Sequence, residues 1–444
     1  MSPRAPATTA REVALQVCRD VFGVQPRGAR ESLDYRLRAS RLEPRDRAFA
    51  TELAYGAIKM RRYLDFELQP YVGERTKSLP HPIAEILRLG AYQLRAMQGV
   101  EVYAAVSESV GLARKYGHKG TAGLVNAVLR RVAVDPPREA DLATRASLPG
   151  WVVAHWRERF GEARLEAILA GVNAPPATAI VVDRRRVTRD QARQVLTDAG
   201  LASTPSPFAS DVLILDTGVS SSTIEALGDG RWHLHGEAAA FPVDLLDPQP
   251  GARVVEICCG RGNKTLQLAA RIGEGGSLLA LDADARKIAE NAARLEAAGI
   301  AWVSLVTADA TTLRAPADAD AVLLDAPCSG LGILGRQPEA RWRKHPDDPA
   351  RLAPLQARLL AAASRCVRPG GVLVYAVCST DRREGEDVVD AFLAATPAFA
   401  RAPLPDRYAP FAAASGDLLV PPGIAGRDGF FIARLTRAEA VPMP

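Results

Sequence analysis

Two cysteines in this 444-residue chain stand where a sheet would present them to a ligand. Cys328 lies in Asp325-Ala326-Pro327-Cys328-Ser329-Gly330, and Cys378 in Tyr375-Ala376-Val377-Cys378-Ser379-Thr380. Each follows a short β-rich run and precedes a serine. In an open α/β sheet, ligands bind beyond the carboxyl ends of the strands, so both thiols are expected at the exits of adjacent inner strands. A thiolate in such a place is a nucleophile, and a second thiol beside it can assist. Cys18 and Cys366 fall on helical faces and read as buried apolar positions. No Cys-x-x-Cys pair offers zinc spacing, and six scattered cysteines make no disulfide framework, so no metal site is expected.

A second constellation precedes them. The run Glu256-Ile257-Cys258-Cys259-Gly260-Arg261-Gly262-Asn263-Lys264 ends a β-rich stretch and opens a helix. Its glycines let backbone approach a ligand. A dinucleotide fingerprint would need a small residue at 265, where this chain has Thr265, which argues against a nicotinamide cofactor. Asp282 ends the next strand, at the distance expected of an acid that accepts both ribose hydroxyls. An acid, a Gly-x-Gly turn and a ribose acid resemble the S-adenosylmethionine site of class I methyltransferases, and that resemblance implies an adenine contact at Asp309. Cys258 to Lys264, Asp282, Asp309 and Asp325 are therefore the expected cofactor residues. With a methyl donor in place, the thiols suit cytosine chemistry. Carbon 5 of that ring is a poor nucleophile until a thiolate adds at carbon 6. Asp325 is placed to act at ring nitrogen 3, where charge develops.

The elements that must position these groups change along the chain. Up to about residue 135 the apolar positions repeat at helical spacing: Arg11–Phe22, a long segment from Arg45 to about Leu68, a helix opened by Pro82, then Val102–Tyr116 and Gly120–Val132. Asp135-Pro136-Pro137 breaks the pattern. Mixed signals follow, with helices over Val152–Ala170 and Arg189–Ala199 and strands over Thr178–Asp183 and Asp211–Leu215. From about Gly251 strands and helices alternate: strands at Arg253–Ile257, Ser277–Leu281, Trp302–Val306, Ala321–Leu324 and Gly371–Ala376, helices at Asn263–Arg271, Ala285–Ala298 and Asp348–Arg365. Alternation of this kind predicts a doubly wound parallel sheet, with Leu418–Val420 and Gly429–Leu435 as a closing hairpin. The expected domains are 1–140, all-helical; 141–235, a small α+β module; and 236–444, a Rossmann-like α/β domain.

Composition sets the outer limits. The chain is 48% hydrophobic and 24% charged, values of a multidomain globular protein, and no apolar run approaches the ~18 residues of a membrane helix. The net charge of +5 is unevenly spread: residues 1–150 hold 24 Lys and Arg against 16 Asp and Glu, an excess suited to an anionic partner. Because 49 of the 56 basic residues are Arg, a coding bias explains the excess equally well on charge alone.

Taken together, the Pro-Cys and Cys-Ser motifs resemble the RNA cytosine-5 methyltransferases of the Nop2/Sun type. The runs Arg336–Lys344 and Asp428-Gly429-Phe430-Phe431-Ile432-Ala433 match family segments too. Leu42–Lys59 and Gly123–Val132 resemble the NusB-type RNA-binding domain. The resemblance implies that Cys378 is the nucleophile and Cys328 the release cysteine. It also implies a cytoplasmic, monomeric enzyme acting on small-subunit rRNA, with a NusB-like front end gripping RNA phosphate. Departures gather in the cofactor loop, which in the family reads Asp-x-Cys-Ala-Ala-Pro-Gly-Gly-Lys. Here Glu256, Arg261 and Asn263 stand for Asp, Pro and Gly, Val377 stands where Thr precedes the nucleophile, and the Gln-Asp pair ahead of the first strand is replaced around Gly236-Glu237. Two alternatives follow: an RNA-binding protein with degenerate catalysis, and a tRNA cytosine-5 methyltransferase.

Overall fold

The computed structural model describes residues 9–73, 79–216, 221–312 and 318–439. The chain forms two compact units. One comprises Met1–Ala154 with Gln337–Lys344, the other His155–Arg336 with His345–Pro444. Among the described residues no helix is long and apolar enough to cross a membrane.

The first unit is helical: α1 (Ala10–Phe22), α2 (Ala29–Arg38), α3 (Pro44–Lys59), α4 (Arg61–Val72), α5 (His81–Arg95), α6 (Val102–Tyr116), α7 (Lys119–Val134) and α8 (Leu142–Arg145). Thr9 caps α1 by accepting the Glu12 N–H, and Pro44 opens α3 where its missing N–H is not needed. Their apolar faces make one core that includes Val17, Leu53, Ile58, Leu64, Ile86 and Leu129. The helix expected from Arg45 to Leu68 is two, broken at Met60. The N–H groups of Arg62 and Tyr63, at the start of the second, donate to Ser147 Oγ at 3.1 and 3.4 Å. That cap comes from more than eighty residues away, so local periodicity carries no sign of the break. Within the run Arg336–Lys344, residues Gln337–Lys344 belong to this unit and carry a short 3-10 helix, Pro338–Trp342. Trp342 Nε1 donates to Ile58 O at 2.7 Å, and Glu339 Oε1 accepts the Ala29 N–H at 3.0 Å.

Helix α9 (Gly150–Phe160) spans the point where the first unit ends, and α10 (Glu162–Asn173) follows in the second. The single helix expected there breaks at Gly161, whose φ of +78 suits glycine. Then β1 (Thr178–Val182), α11 (Arg189–Asp198), β2 (Ser203–Pro205), β3 (Val212–Leu215), α12 (Ser221–Gly228) and β4 (Trp232–Leu234) form a small antiparallel sheet, order β2-β3-β1-β4.

The larger sheet begins after α13 (Glu237–Leu246). Its elements are β5 (Arg253–Ile257), α14 (Asn263–Ile272), β6 (Ser277–Asp282), α15 (Ala285–Ala297), β7 (Ser304–Thr307), β8 (Ala319–Asp325), α16 (Asp348–Cys366), β9 (Val367–Val377), α17 (Glu386–Ala395), β10 (Phe399–Arg401), β11 (Leu418–Val420) and β12 (Phe430–Arg437). Strand order is β10-β12-β9-β8-β5-β6-β7, with β11 paired to β12. The pairs from β7 to β9 are parallel, as alternation predicts. The sheet is mixed, however, because β12 inserts antiparallel between β9 and β10. The closing hairpin is therefore part of the main sheet, and its inward residues Phe431, Ala433 and Leu435 complete the core. From β5 the chain winds outward through β6 and β7, then returns to β8 on the other side. Register aligns Ile257 with Leu281 and Leu324, and Asp325 with Ala376, so the loops after β5, β6, β8 and β9 emerge at one edge. The switch point between β5 and β8 is where such a sheet binds ligands.

Candidate active site

The loop after β5 is shaped by backbone that few side chains tolerate. Cys258, Gly260 and Gly262 have φ of +62, +56 and +87. A Cβ at Gly262 would lie 2.1 Å from Asn291 Oδ1, so α15 packs directly under that glycine. Asp282, at the end of β6, accepts the Gly260 N–H at 3.0 Å and the Asp284 N–H at 2.9 Å, which fixes its carboxylate beneath the loop. The strand acid Glu256 is almost fully buried. Its Oε2 accepts from Thr265 Oγ1 at 2.6 Å, while Oε1 has no hydrogen-bond partner among the described residues. Burial pushes this carboxyl up to about 8.

Not every residue of the run turns toward the ligand face. Cys259 is buried, with Asn291 Nδ2 at 3.6 Å from its sulfur, and its N–H donates to Leu281 O. Arg261 is exposed and pairs with Glu290 on α15 at 3.0 Å. Successive residues of a turn point in different directions, and these two side chains both turn to α15. Asn263 opens α14 and accepts from Arg294, which also donates to Arg261 O at 3.0 Å. Asp309 sits one residue beyond Ala308, whose N–H donates to Asp282 O, so it reaches the same edge. Its exposed carboxylate accepts from the Thr311 N–H and hydroxyl, and that backbone hydrogen bond lowers its pKa.

Lys264 joins this loop to the cysteines. Its Nζ lies 2.6 Å from Asp325 Oδ2 and faces the ring of Phe430. Burial opposes the ammonium charge, but Asp325 outweighs it and holds the lysine above its ordinary value. Beyond Asp325 the sulfurs of Cys328 and Cys378 are 3.3 Å apart, in contact and unbonded. A hydrogen bond with Cys378, together with burial, raises Cys328 well above the ordinary thiol range, so Cys328 keeps its proton at neutral pH.

Several residues around this site carry no motif. Asn291 and Arg294 are interior positions of a helix whose register to the loop is tertiary. His235, on the approach to α13, is buried beside it, and His233 is half-buried. His233 Nε2 lies 3.1 Å from Asn263 O, and burial lowers its pKa to about 3. Glu384 lies six residues after Cys378 in a run of charged residues of both signs, Asp381-Arg382-Arg383-Glu384, which gave no reason to expect it inside.

Residues 243–436 match the family described as 16S rRNA methyltransferase RsmB/F. Residues 8–134 match the NusB family, and 148–222 match the ferredoxin-like domain of RsmF/B-like methyltransferases. The chain is 38% identical to ribosomal RNA small subunit methyltransferase B of Thermus thermophilus, covering 98% of this chain and 99% of that one. It is 30% identical to a probable ribosomal RNA small subunit methyltransferase B of Bacillus subtilis, covering 90% and 93%. Among solved structures, PH0851 superposes with a TM-score of 0.82 at 23% identity, covering 97% of this chain and 99% of that chain. NSun6 from Pyrococcus horikoshii, solved with SFG, gives 0.57 at 18%, covering 66% and 98%. At these identities the two structures speak for the fold.

Proposed function

The chain belongs to the RsmB/F family of 16S rRNA methyltransferases, and on that footing we propose that it methylates carbon 5 of a cytosine in small-subunit rRNA, as a cytoplasmic monomer. It is an S-adenosylmethionine-dependent RNA methyltransferase. The residues present suit that cofactor. Glu256 offers a buried carboxyl oxygen without a partner among the described residues, Asp282 a fixed acid beneath the loop, and Gly260 and Gly262 a backbone open to a ligand. The bound cofactor supplies an electrophilic methyl group on a sulfonium sulfur.

The observation that carries the reaction type is the pair of touching sulfurs. In this reading Cys378 adds to carbon 6 of cytosine, forming the Sγ–C6 bond and moving the ring's electrons toward carbon 5, which then accepts the methyl. Cys328, which holds its proton, donates to the Cys378 sulfur and favours negative charge there. As negative charge develops at nitrogen 3, the Asp325–Lys264 pair supplies a proton there, passed from the lysine ammonium through the Asp325 carboxyl, and takes it back when the Sγ–C6 bond breaks. After transfer the carbon 5 proton passes to water, the Sγ–C6 bond breaks, and the departing thiolate of Cys378 again receives the hydrogen bond of Cys328. The target base must be unstacked to reach these groups.

Trapping tests this directly. Cys328→Ser is expected to accumulate a covalent protein–RNA adduct, and Cys378→Ser to abolish both adduct and methylation. Methylation by Cys378→Ser would remove the nucleophile assignment. Sequencing the trapped RNA names the target, and a tRNA there would overturn the rRNA reading.

A further inference from the structure

Beneath the two sulfurs lies a closed chain of hydrogen bonds that the reaction as described does not use. Ser329 and Ser379, which follow the two cysteines, are fully buried, and their hydroxyl oxygens are 3.1 Å apart. Glu384, also fully buried, accepts the Ser329 N–H at 2.7 Å on Oε1 and the Ser329 hydroxyl on Oε2. Gln356, from α16, donates to the same Oε1 at 3.0 Å and to Pro327 O at 2.9 Å. The Asp381 N–H donates to Ser379 Oγ at 3.2 Å. These partners set the direction of every hydroxyl. Ser379 accepts from Asp381 and donates to Ser329, and Ser329 donates to the carboxylate, which can only accept when ionised. A buried carboxylate is costly unless it is hydrogen-bonded in this way, so its place between the two cysteine loops needs a reason.

We propose that Glu384 is a positioning residue of methyl transfer: through Ser329 and Ser379 it clamps the loops after β8 and β9, holding the sulfurs of Cys328 and Cys378 in contact. This rests on the two-thiol reading above. Removing the clamp lets the loops part, because the main-chain N–H of Ser329 loses its acceptor next to Cys328. Its negative charge has a second effect. Cys328 is raised by Cys378, just past the end of β9, then by burial, Glu384, and Asp325 at the end of β8; Tyr375 of β9 also faces it, as a neutral phenol. Glu384 thus favours the protonated form that donates to Cys378.

Glu384→Gln keeps the shape and removes the charge, and Ser379→Ala removes the link between the two hydroxyls together with the acceptor of the Asp381 N–H. Both are to be compared with the unaltered enzyme on its RNA substrate. The expected result is a fall in kcat of about tenfold to a hundredfold, the scale of a displaced catalytic group, with KM for S-adenosylmethionine unchanged within about twofold. In a Cys378→Ser background, the pH midpoint for alkylation of Cys328 by iodoacetamide is expected to move down when Glu384 becomes Gln. An unaltered kcat in both variants overturns the clamp. An unmoved alkylation midpoint overturns the electrostatic role. Should Glu384→Gln fail to fold, Ser379→Ala alone decides the clamp. Methylation by Cys378→Ser itself would count against the two-thiol reading, and alkylation of Cys328 is read without any turnover.

Discussion

Gly260 and Gly262 both adopt left-handed backbone in the loop after β5, yet replacing them with alanine should have unequal effects. At Gly260 an added Cβ meets nothing within 4 Å, so only the backbone resists, at about 1–2 kcal/mol for an L-residue in that region. At Gly262 the same strain applies, and the Cβ also falls 2.1 Å from Asn291 Oδ1 and 2.5 Å from its Cγ. Asn291 cannot swing aside freely. It is fully buried, and its Nδ2 donates to Thr265 Oγ1 at 3.0 Å, which in turn donates to Glu256. Forcing a methyl into such packing adds about 1–3 kcal/mol. The loop relieves it by leaving the binding-ready shape, and the apparent affinity falls with the fraction that remains ready. At 1.4 kcal/mol per decade, Gly262→Ala should bind S-adenosylmethionine roughly 5- to 140-fold more weakly than Gly260→Ala. Titration calorimetry on the two purified variants measures the ratio. Equal affinities would refute the claim that α15 sets the floor of this loop. Gly262→Ala combined with Asn291→Ala should recover part of the loss, since the second change removes the obstacle.

Two further outcomes follow from buried charge. Glu256 titrates near 8 when folded against an ordinary value of 4.5, so within that window the folded protein holds a proton that the unfolded chain has released. Its contribution to stability is therefore full below about pH 4.5, declines as pH rises toward 8, and is flat above. Denaturant unfolding without cofactor at pH 5.5, 7 and 8.5 should show that decline in the parent and a shallower one in Glu256→Gln; matching slopes would sink the assignment. Arg271, 3% exposed, donates to Asp211 Oδ2 and Asp244 Oδ1 at 2.7 Å each, and both carboxylates are buried. Arg271→Met leaves them undercompensated and should cost about 3–5 kcal/mol in urea unfolding, whereas a change below 1 kcal/mol would show that Arg407 and Arg184 suffice.

Elements whose cause is local were legible in the sequence. Val102–Tyr116 is a helix and Arg253–Ile257 a strand with the expected ends, because apolar spacing and flanking residues act within the segment itself. Elements whose cause is distant were not. The break at Met60 depends on Ser147, and α2 packs only Ala29, Ser32, Leu33 and Leu37 inward, too few for a clear stripe. The run Arg336–Lys344 shows the same limit. Its resemblance to a family segment was visible, but its role in the helical unit is not, since Trp342 and Glu339 find partners some three hundred residues earlier. The antiparallel insertion of β12 is likewise a matter of pairing, which strand spacing does not encode.

The site divides in the same way. Glycines, acids and cysteines at strand ends announce themselves, since each does something only its type can do. What holds them does not, and the atypical cofactor loop shows why that matters. Read as a string, Arg261 and Asn263 look like damage to the family's Pro-Gly-Gly turn. In the fold both are tied to α15. Arg261 pairs with Glu290, its carbonyl and the Asn263 side chain accept from Arg294, and Asn291 fills the space under Gly262. Three residues within five positions of one helix brace the loop, so the departures come with their own supports. A reading of degenerate catalysis requires a loop that has lost its anchor to the sheet. Here Asp282 still holds the Gly260 N–H, and Lys264 still reaches Asp325 beside the paired thiols.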